Sequence, residues 1–507
     1  PTPWTEIYFK TVPDQGQNVD AFCTVNTSPL INFSVAYKGL RALGKYQNSL
    51  TSTGNFRATF SYRNKNDRYQ LHMHFVSQDL LNQENGGLSA LALEQYLSKE
   101  KEFEDRSLLE VKYENAENVL FGKRFFVNHS FDLLSAKANT ITLTHQLNFN
   151  DQKYIFRQDA PVKYYGETFK TSGLRDEVKK RQIENQLELT YKNSILGQLG
   201  FKASSSYYNY GYQSVIFLGD QYVPNSLNGT NYAVGADYQN TFGPVGLYGD
   251  AMLNLVGDFS GYYFKAGATY RVNENNFFKA EFRSNDRAPN FNFLLYQSDY
   301  LNYNWYNNFS NQNAQTLSLA LKSLKLLDAT AEINRVGNYT YFAKNSEDNV
   351  KPFQAGSSVA YLKLRAHRLF NFGVFSLDNT LMYQNVSEGK ELLNVPAFVT
   401  RNSLFYHDYW FQKALFLQTG FTFRYFSKYN MNGYDPVLAE FYVQNDQQLG
   451  GFPMVDFFFN AKIKQTRIFF KLEHVNTLLN GNNNFVAPEY PYPDFIIRFG
   501  LVWDFFM

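Results

Sequence analysis

His72 and His74 stand two residues apart in "RYQLHMHF", Arg68 to Phe75. On an extended strand that spacing puts both imidazoles on one face, where they could share a metal ion. Two ligands, with no Cys or carboxylate motif to complete the set, fall short of a closed zinc site. No metal is therefore expected, and the pair reads as wall lining. A larger constellation is ionic. It comprises Arg68, Lys279, Glu281, Arg283, Lys363, Arg365, Arg424, Asp456, Lys462, Lys464, Arg467, Lys471, Glu473, Arg498 and Asp504, most of them alternating with apolar neighbours. Charges in that rhythm mark the polar face of strands. Around a pore they would bias which ions and solutes enter. Alternatively, they pair across strands and fill an interior. Cations outnumber carboxylates in this set, which predicts a mild preference for anionic solutes. Catalysis finds no support. No G-x-S-x-G, H-E-x-x-H, Walker or G-x-G-x-x-G run lies in a fitting context, so neither an enzyme nor a cofactor is expected.

The elements that carry these residues follow from bulk composition and periodicity. The chain has 507 residues, including 38 Tyr and 49 Phe, and a mean hydropathy of -0.41. Aromatics this dense suit pleated strands. No stretch approaches the roughly 18 consecutive apolar residues of a spanning helix. A net charge of +2 gives no electrostatic case for nucleic acid. The single Cys23 excludes an internal disulfide; it alternates with Val19, Ala21 and Val25 and is expected on an apolar face. The opening "PTPWTEIYFK" has neither Met nor an apolar signal region, so targeting information is expected to lie outside this chain.

The last thirteen residues, "FIIRFGLVWDFFM", alternate strictly. Phe495, Ile497, Phe499, Leu501, Trp503, Phe505 and Met507 share one face; Arg498 and Asp504 lie on the other. The same rhythm runs through Val455–Lys464, Arg467–Glu473, Leu417–Tyr425, Phe278–Arg283, Asn231–Gln239 and Arg68–Phe75, with Phe458 as an apolar intruder on a polar face. Many segments run about 10–14 residues, against about 9–11 for a membrane-crossing strand. In lipid no sheet edge can stay open. The reading is all-β: one transmembrane antiparallel up-and-down β-barrel over residues 1–507, with about 24 strands and a range of about 22–26. Tight turns are predicted at Asn26–Asn32, Asn64–Asp67, Asn148–Asp151, Asn240–Pro244, Asn273–Asn276 and Lys464–Arg467, where Asn, Asp, Gly and Pro dominate. Long connections are predicted at 79–106, 159–181, 211–230, 285–312, 427–451 and 476–493. The first of these carries Leu91, Leu93, Tyr96 and Leu97 at helical spacing. Leu108–Glu114 and Leu326–Phe342 read as wall.

Two stretches resemble a known family. The Thr-Pro-x-Thr-Glu start, the Asn26–Pro29 turn, the Gly44–Tyr46–Asn48 loop and the Tyr62/Arg68–Tyr69 hairpin are similar to the opening strands of the putative porin family of Bacteroidota. The Tyr490–Pro493 element before the Phe-Gly-x-x-Trp-x-Phe strand is similar to that family's ending. Family members usually carry a region before this start, and an aromatic residue usually stands where Met507 does. The resemblance implies an integral outer-membrane channel for passive diffusion of small hydrophilic solutes. The alternative is a non-conducting barrel subunit of a larger export, insertion or uptake complex. A TonB-dependent transporter would need a plug domain of about 100 residues, which this stretch does not supply. The expected partners are outer-membrane lipid and lipopolysaccharide, the barrel-insertion machinery and other proteins of an outer-membrane complex. Long loops would be extracellular and both termini periplasmic, with long loops or a preceding region folded into the pore. Phe499, Leu501, Trp503, Phe505 and Met507 would form the assembly signal.

Overall fold

The computed structural model describes residues 3–12, 16–98, 100–136, 138–480 and 484–505. Twenty-two antiparallel strands pair in sequence order, from Trp4–Val12 to Ile496–Phe505. The last strand then pairs with the first, with Thr5 opposite Phe505 and Thr11 opposite Phe499. The sheet thus closes into a barrel with no edge, as lipid requires. Twenty-two is the lower end of the range predicted from sequence.

Side chains alternate across the wall. In the closing strand Ile497, Phe499 and Trp503 are exposed, while Gly500, Val502 and Asp504 are buried. The same parity passes from strand to strand through the register. Phe33, Val35, Leu187, Phe201, Phe282 and Phe421 all lie on the outer, exposed side. Such an apolar belt is far larger than a water-facing surface carries, and it matches the lipid face of an outer-membrane barrel. Cys23 lies opposite Val35 on this outer face, as expected.

Ten turns of two to five residues join the strands at one end, where the first wall strand begins at Trp4 and the last ends at Phe505. At the other end run the long connections, at 43–50, 85–115, 159–173, 212–225, 288–311, 338–358, 389–397, 427–453 and 474–495. The sequence underestimated this end. Leu108–Glu114 is not wall: Val111 makes only an isolated bridge with Leu88. Its alternation reflects burial of Leu109, Val111 and Tyr113 inside the connection. The turn expected at Asn148–Asp151 is absent, and those residues sit inside the 20-residue strand Asn139–Gln158. The stretch Leu326–Phe342 contributes one wall strand, Asp328–Gly337, and then leaves the barrel as a hairpin, Thr340–Lys344 with Val350–Gln354. The predicted helix forms at Ala90–Ser98, but Ala92 and Tyr96 face inward while Leu91 and Leu97 are exposed.

The conventional hydrophobic core lies in these connections. Tyr113, Tyr165, Tyr296, Tyr300, Tyr303, Trp305, Phe342 and Val437 pack into one cluster. They come from five connections spread around the rim. The Thr340 hairpin joins Gly433–Asp435 and Glu440–Val443 in a four-stranded sheet outside the wall. A second cluster sets the Ala90–Ser98 helix against Phe485 of the last connection.

Candidate functional site: the inner wall and its lid

The inner face is polar because each wall strand alternates, and its charges are positioned by register. Asp456 is 1 % exposed. It accepts from Arg424 Nη2 at 2.8 Å, from Lys471 Nζ at 3.1 Å and from the His474 backbone N–H at 3.0 Å. Lys471 also reaches Glu473 at 2.8 Å, and Glu473 accepts from Arg498 Nε at 2.7 Å. These five side chains form a continuous ionic ladder over four neighbouring strands. Nearer the turns, Arg467 bridges Glu6 at 2.6 Å and Asp504 at 3.7 Å. Farther round, Glu281 is 4 % exposed and takes Lys279 at 2.9 Å, Arg283 and the Tyr248 hydroxyl. Lys363 pairs with Glu332 at 3.3 Å. Among the described residues seven of the eleven predicted cations are therefore paired, five across strands and Lys279 and Arg283 with Glu281 on their own strand.

Other expected positions fall as follows. His72 and His74 share the inner face; His74 stacks on Phe126 with ring centroids 4.9 Å apart. No group of three metal-binding side chains occurs among the described residues. Arg365 faces inward and makes no ion pair among the described residues. Lys462 lies opposite Arg467 on the inner face near the turns. Two residues stand in turns between wall strands, where alternation stops. Lys464 occupies the two-residue turn with φ 52°. Arg68 ends a turn, donates to the carbonyls of Asp132 and Leu133, and lies over the outward ring of Phe131 at 5.2 Å. Phe499, Leu501, Trp503 and Phe505 are on the outer face, with the Trp503 and Phe505 rings 4.0 Å apart. Met507 lies outside the described residues.

Sequence reasoning missed several features. Lys202 bridges Asp237 at 3.2 Å and Asp250 at 3.0 Å. Three carboxylates staple the lid. Glu84 accepts from Asn118 and the Tyr434 hydroxyl, Asp176 from the Ser298 hydroxyl and Asp299 N–H, and Asp435 from the Tyr303 hydroxyl at 2.7 Å. Asp435 also takes the backbone N–H groups of Val437 and Leu438. Its burial pushes the carboxyl pKa up to about 6. The only signal available was an unusual density of Tyr and Asn in the connections.

The ladder makes a testable contribution to stability. Asp456→Ala leaves Arg424 without a carboxylate and the His474 N–H without its acceptor, and leaves Lys471 with Glu473 alone. Both cations are about a third exposed, so the cost is discounted to about 2 kcal/mol. The midpoint of heat-induced loss of the compact electrophoretic form should fall, and fall less for Asp456→Asn, which keeps an acceptor.

Three solved structures show the same architecture. The ferric enterobactin receptor of Pseudomonas aeruginosa is 11 % identical, with a TM-score of 0.68 over 99 % of this chain and 80 % of that one. The FrpB iron transporter of Neisseria meningitidis is 11 % identical, with a TM-score of 0.68 over 100 % and 82 %. The siderophore receptor PirA of Acinetobacter baumannii is 10 % identical, with a TM-score of 0.68 over 99 % and 80 %. At this identity the likeness concerns the fold alone. No curated protein sequence matches the chain. A family model described as putative porin matches residues 1–507, and the chain, a closed outer-membrane barrel, belongs to that family.

Proposed function

We propose that the protein is a channel for passive diffusion of small hydrophilic solutes, with the long connections facing the cell exterior and both termini in the periplasm. The observation that carries this reading is the inner wall, which bears charged and polar side chains on strands spread round the barrel, while the outer wall is apolar. A 22-stranded barrel is wide, and the packed connections would keep it from leaking large molecules. Ion pairing leaves few net charges inside. Inward-facing cations without an ion pair among the described residues include Lys10, Arg57, Arg124, Lys180, Lys265, Arg365, Arg401 and Lys462, against the carboxylates Asp132, Glu184 and Glu188 on the same terms. This excess supports a mild preference for anions.

Planar-bilayer recording of the purified protein tests the reading. Stable conductance in KCl is expected, with a reversal potential in asymmetric salt displaced toward that of chloride. A cation-selective reversal potential would defeat the anion preference. A second reading, a barrel subunit of a larger complex, is favoured by the aromatic core that bridges the rim. Under that reading the purified barrel would carry no current and would be isolated with partner proteins.

A further inference from the structure

Phe458, the apolar intruder on a polar strand face, does have an inward-facing neighbour. The row through it runs Phe405, Gly420, Phe458 and Lys471 on successive strands. The two phenyl rings flank the glycine, with centroids 6.4 Å apart and planes at 54°. Gly420 has no alternative: a Cβ there would run into the carbonyl oxygen of Leu404. The backbone of the neighbouring strand at Leu404 and Phe405 fills the space a side chain would take, so the glycine lets the two strands approach closely between the rings. The adjoining row, Ser403 and Thr422, is small and hydroxylated, with oxygens 2.9 Å apart. On the far side of the rings, Asn460 donates its amide to Gln418 at 3.2 Å. Together these residues line a recess of about 410 Å³. That volume falls in the range of about 300–1,000 Å³ for small-molecule sites.

The recess is electrostatically unfinished. Arg401 lies directly opposite Arg424 in the register, and like charges in that relation destabilise a sheet. Arg424 is answered by Asp456 at 2.8 Å, yet its Nε is buried with no partner. Arg401 is exposed to the lumen and makes no ion pair among the described residues. Asp378, the other carboxylate of the recess, is held by His367 at 2.7 Å. Phe405 and Phe458 are half-buried on the inner face and keep ring surface toward the recess.

We infer that this recess is a binding site for a hydroxylated, ring-shaped carboxylate of the sugar-acid class. The carboxylate meets the exposed Arg401, where a charge-assisted hydrogen bond is strong, and Arg424 adds positive charge behind it. The apolar C–H face of the ring lies on Phe405 and Phe458. The hydroxyls take Ser403, Thr422 and the Gln418–Asn460 amide pair. The inference rests on the channel reading for its setting, since the site lies on the lumen wall just below the lid. It predicts a channel that retains such solutes briefly as they pass.

D-Glucuronate is the probe, with D-glucose and acetate as controls. Calorimetry on the detergent-purified barrel should show glucuronate binding, with glucose and acetate each weaker by about tenfold or more. Added to a conducting channel, glucuronate should produce resolvable current interruptions. Arg401→Ala should weaken glucuronate binding by about tenfold or more, and Phe458→Ala should weaken glucuronate but not acetate. The heat-shifted gel mobility of each variant reports that it is folded. Equal affinity for acetate and glucuronate would reduce the site to a simple anion well and overturn the inference. So would undiminished glucuronate binding by folded Arg401→Ala. A barrel that binds glucuronate without conducting defeats the channel reading alone; one that conducts without binding it defeats the recess alone.

Discussion

A chain ending at Asp494 will not assemble. The strand Ile496–Phe505 bonds to Trp4–Val12 on one side and to Thr466–Glu473 on the other. Its removal opens two edges, each a row of unpaired N–H and C=O groups. In hydrocarbon each such group costs several kcal/mol, so the loss exceeds the marginal stability of any domain, about 5–15 kcal/mol. The lipid-facing rings Phe499, Trp503 and Phe505 go with it. In cells the truncated chain should give no heat-shifted folded band in the outer membrane and no loop accessible to added protease. Normal surface exposure of the truncated protein would contradict both the closure and the role of this strand in assembly.

The second large effect concerns the lid. Asp435→Ala should unlock it. Asp435 joins the 288–311 connection to the 427–453 connection through the Tyr303 hydroxyl and fixes its own turn through two N–H groups. Alanine leaves three buried donors without an acceptor, a cost of about 3 kcal/mol or more on an element already drawn from the less stable end of the molecule. Limited proteolysis should cut within 427–453 at least tenfold faster in the variant, with the barrel wall intact. Asn at the same position keeps an acceptor for the turn and should be much milder. The lid also has a pH dependence of definite sign. Burial raises the Asp435 pKa to about 6, against 3.8 for the ordinary group, with Lys344 pulling weakly the other way. The contribution of this group to lid stability is full below pH 3.8 and is lost as pH rises through about 6. Protease sensitivity of the lid should therefore increase between pH 5 and pH 8, and Asp435→Asn, which cannot ionise, should reduce that slope. The remainder comes from Glu84 and Asp176, whose burial pushes both pKa values up to about 7. Equal sensitivity at both pH values in the parent protein would rule out this role for Asp435.

The wall was legible in the sequence because a strand between lipid and water must alternate, and alternation survives in a single chain. Arg498 and Asp504 among aromatics announced two faces, and the structure has them. The misreadings have physical causes. Asn148 and Asp151 are turn formers by propensity, but here they serve as cross-strand partners: Asn148 bonds Arg124 and Glu184, and Asp151 pairs with Arg181. Propensity cannot distinguish the two uses. Nor can the sequence name the partner of a charge. Arg467 meets Glu6 across 461 positions, a neighbour set by barrel closure alone. Cations whose partners the sequence left open proved paired for this reason. The lid was least legible of all, because irregular segments that pack on one another leave no period.

The lid joins residues that are remote in the chain. Tyr434 reaches Glu84 across 350 positions, and Tyr96 reaches Asn484 across 388. Contacts of such high order are rewarded only after the intervening chain has been ordered. Each lid segment hangs from its own pair of wall strands, so the aromatic core cannot condense until strands from both ends of the chain stand side by side. By this ordering, capping is expected to follow closure of the wall, and the packed lid depends on the barrel beneath it being complete.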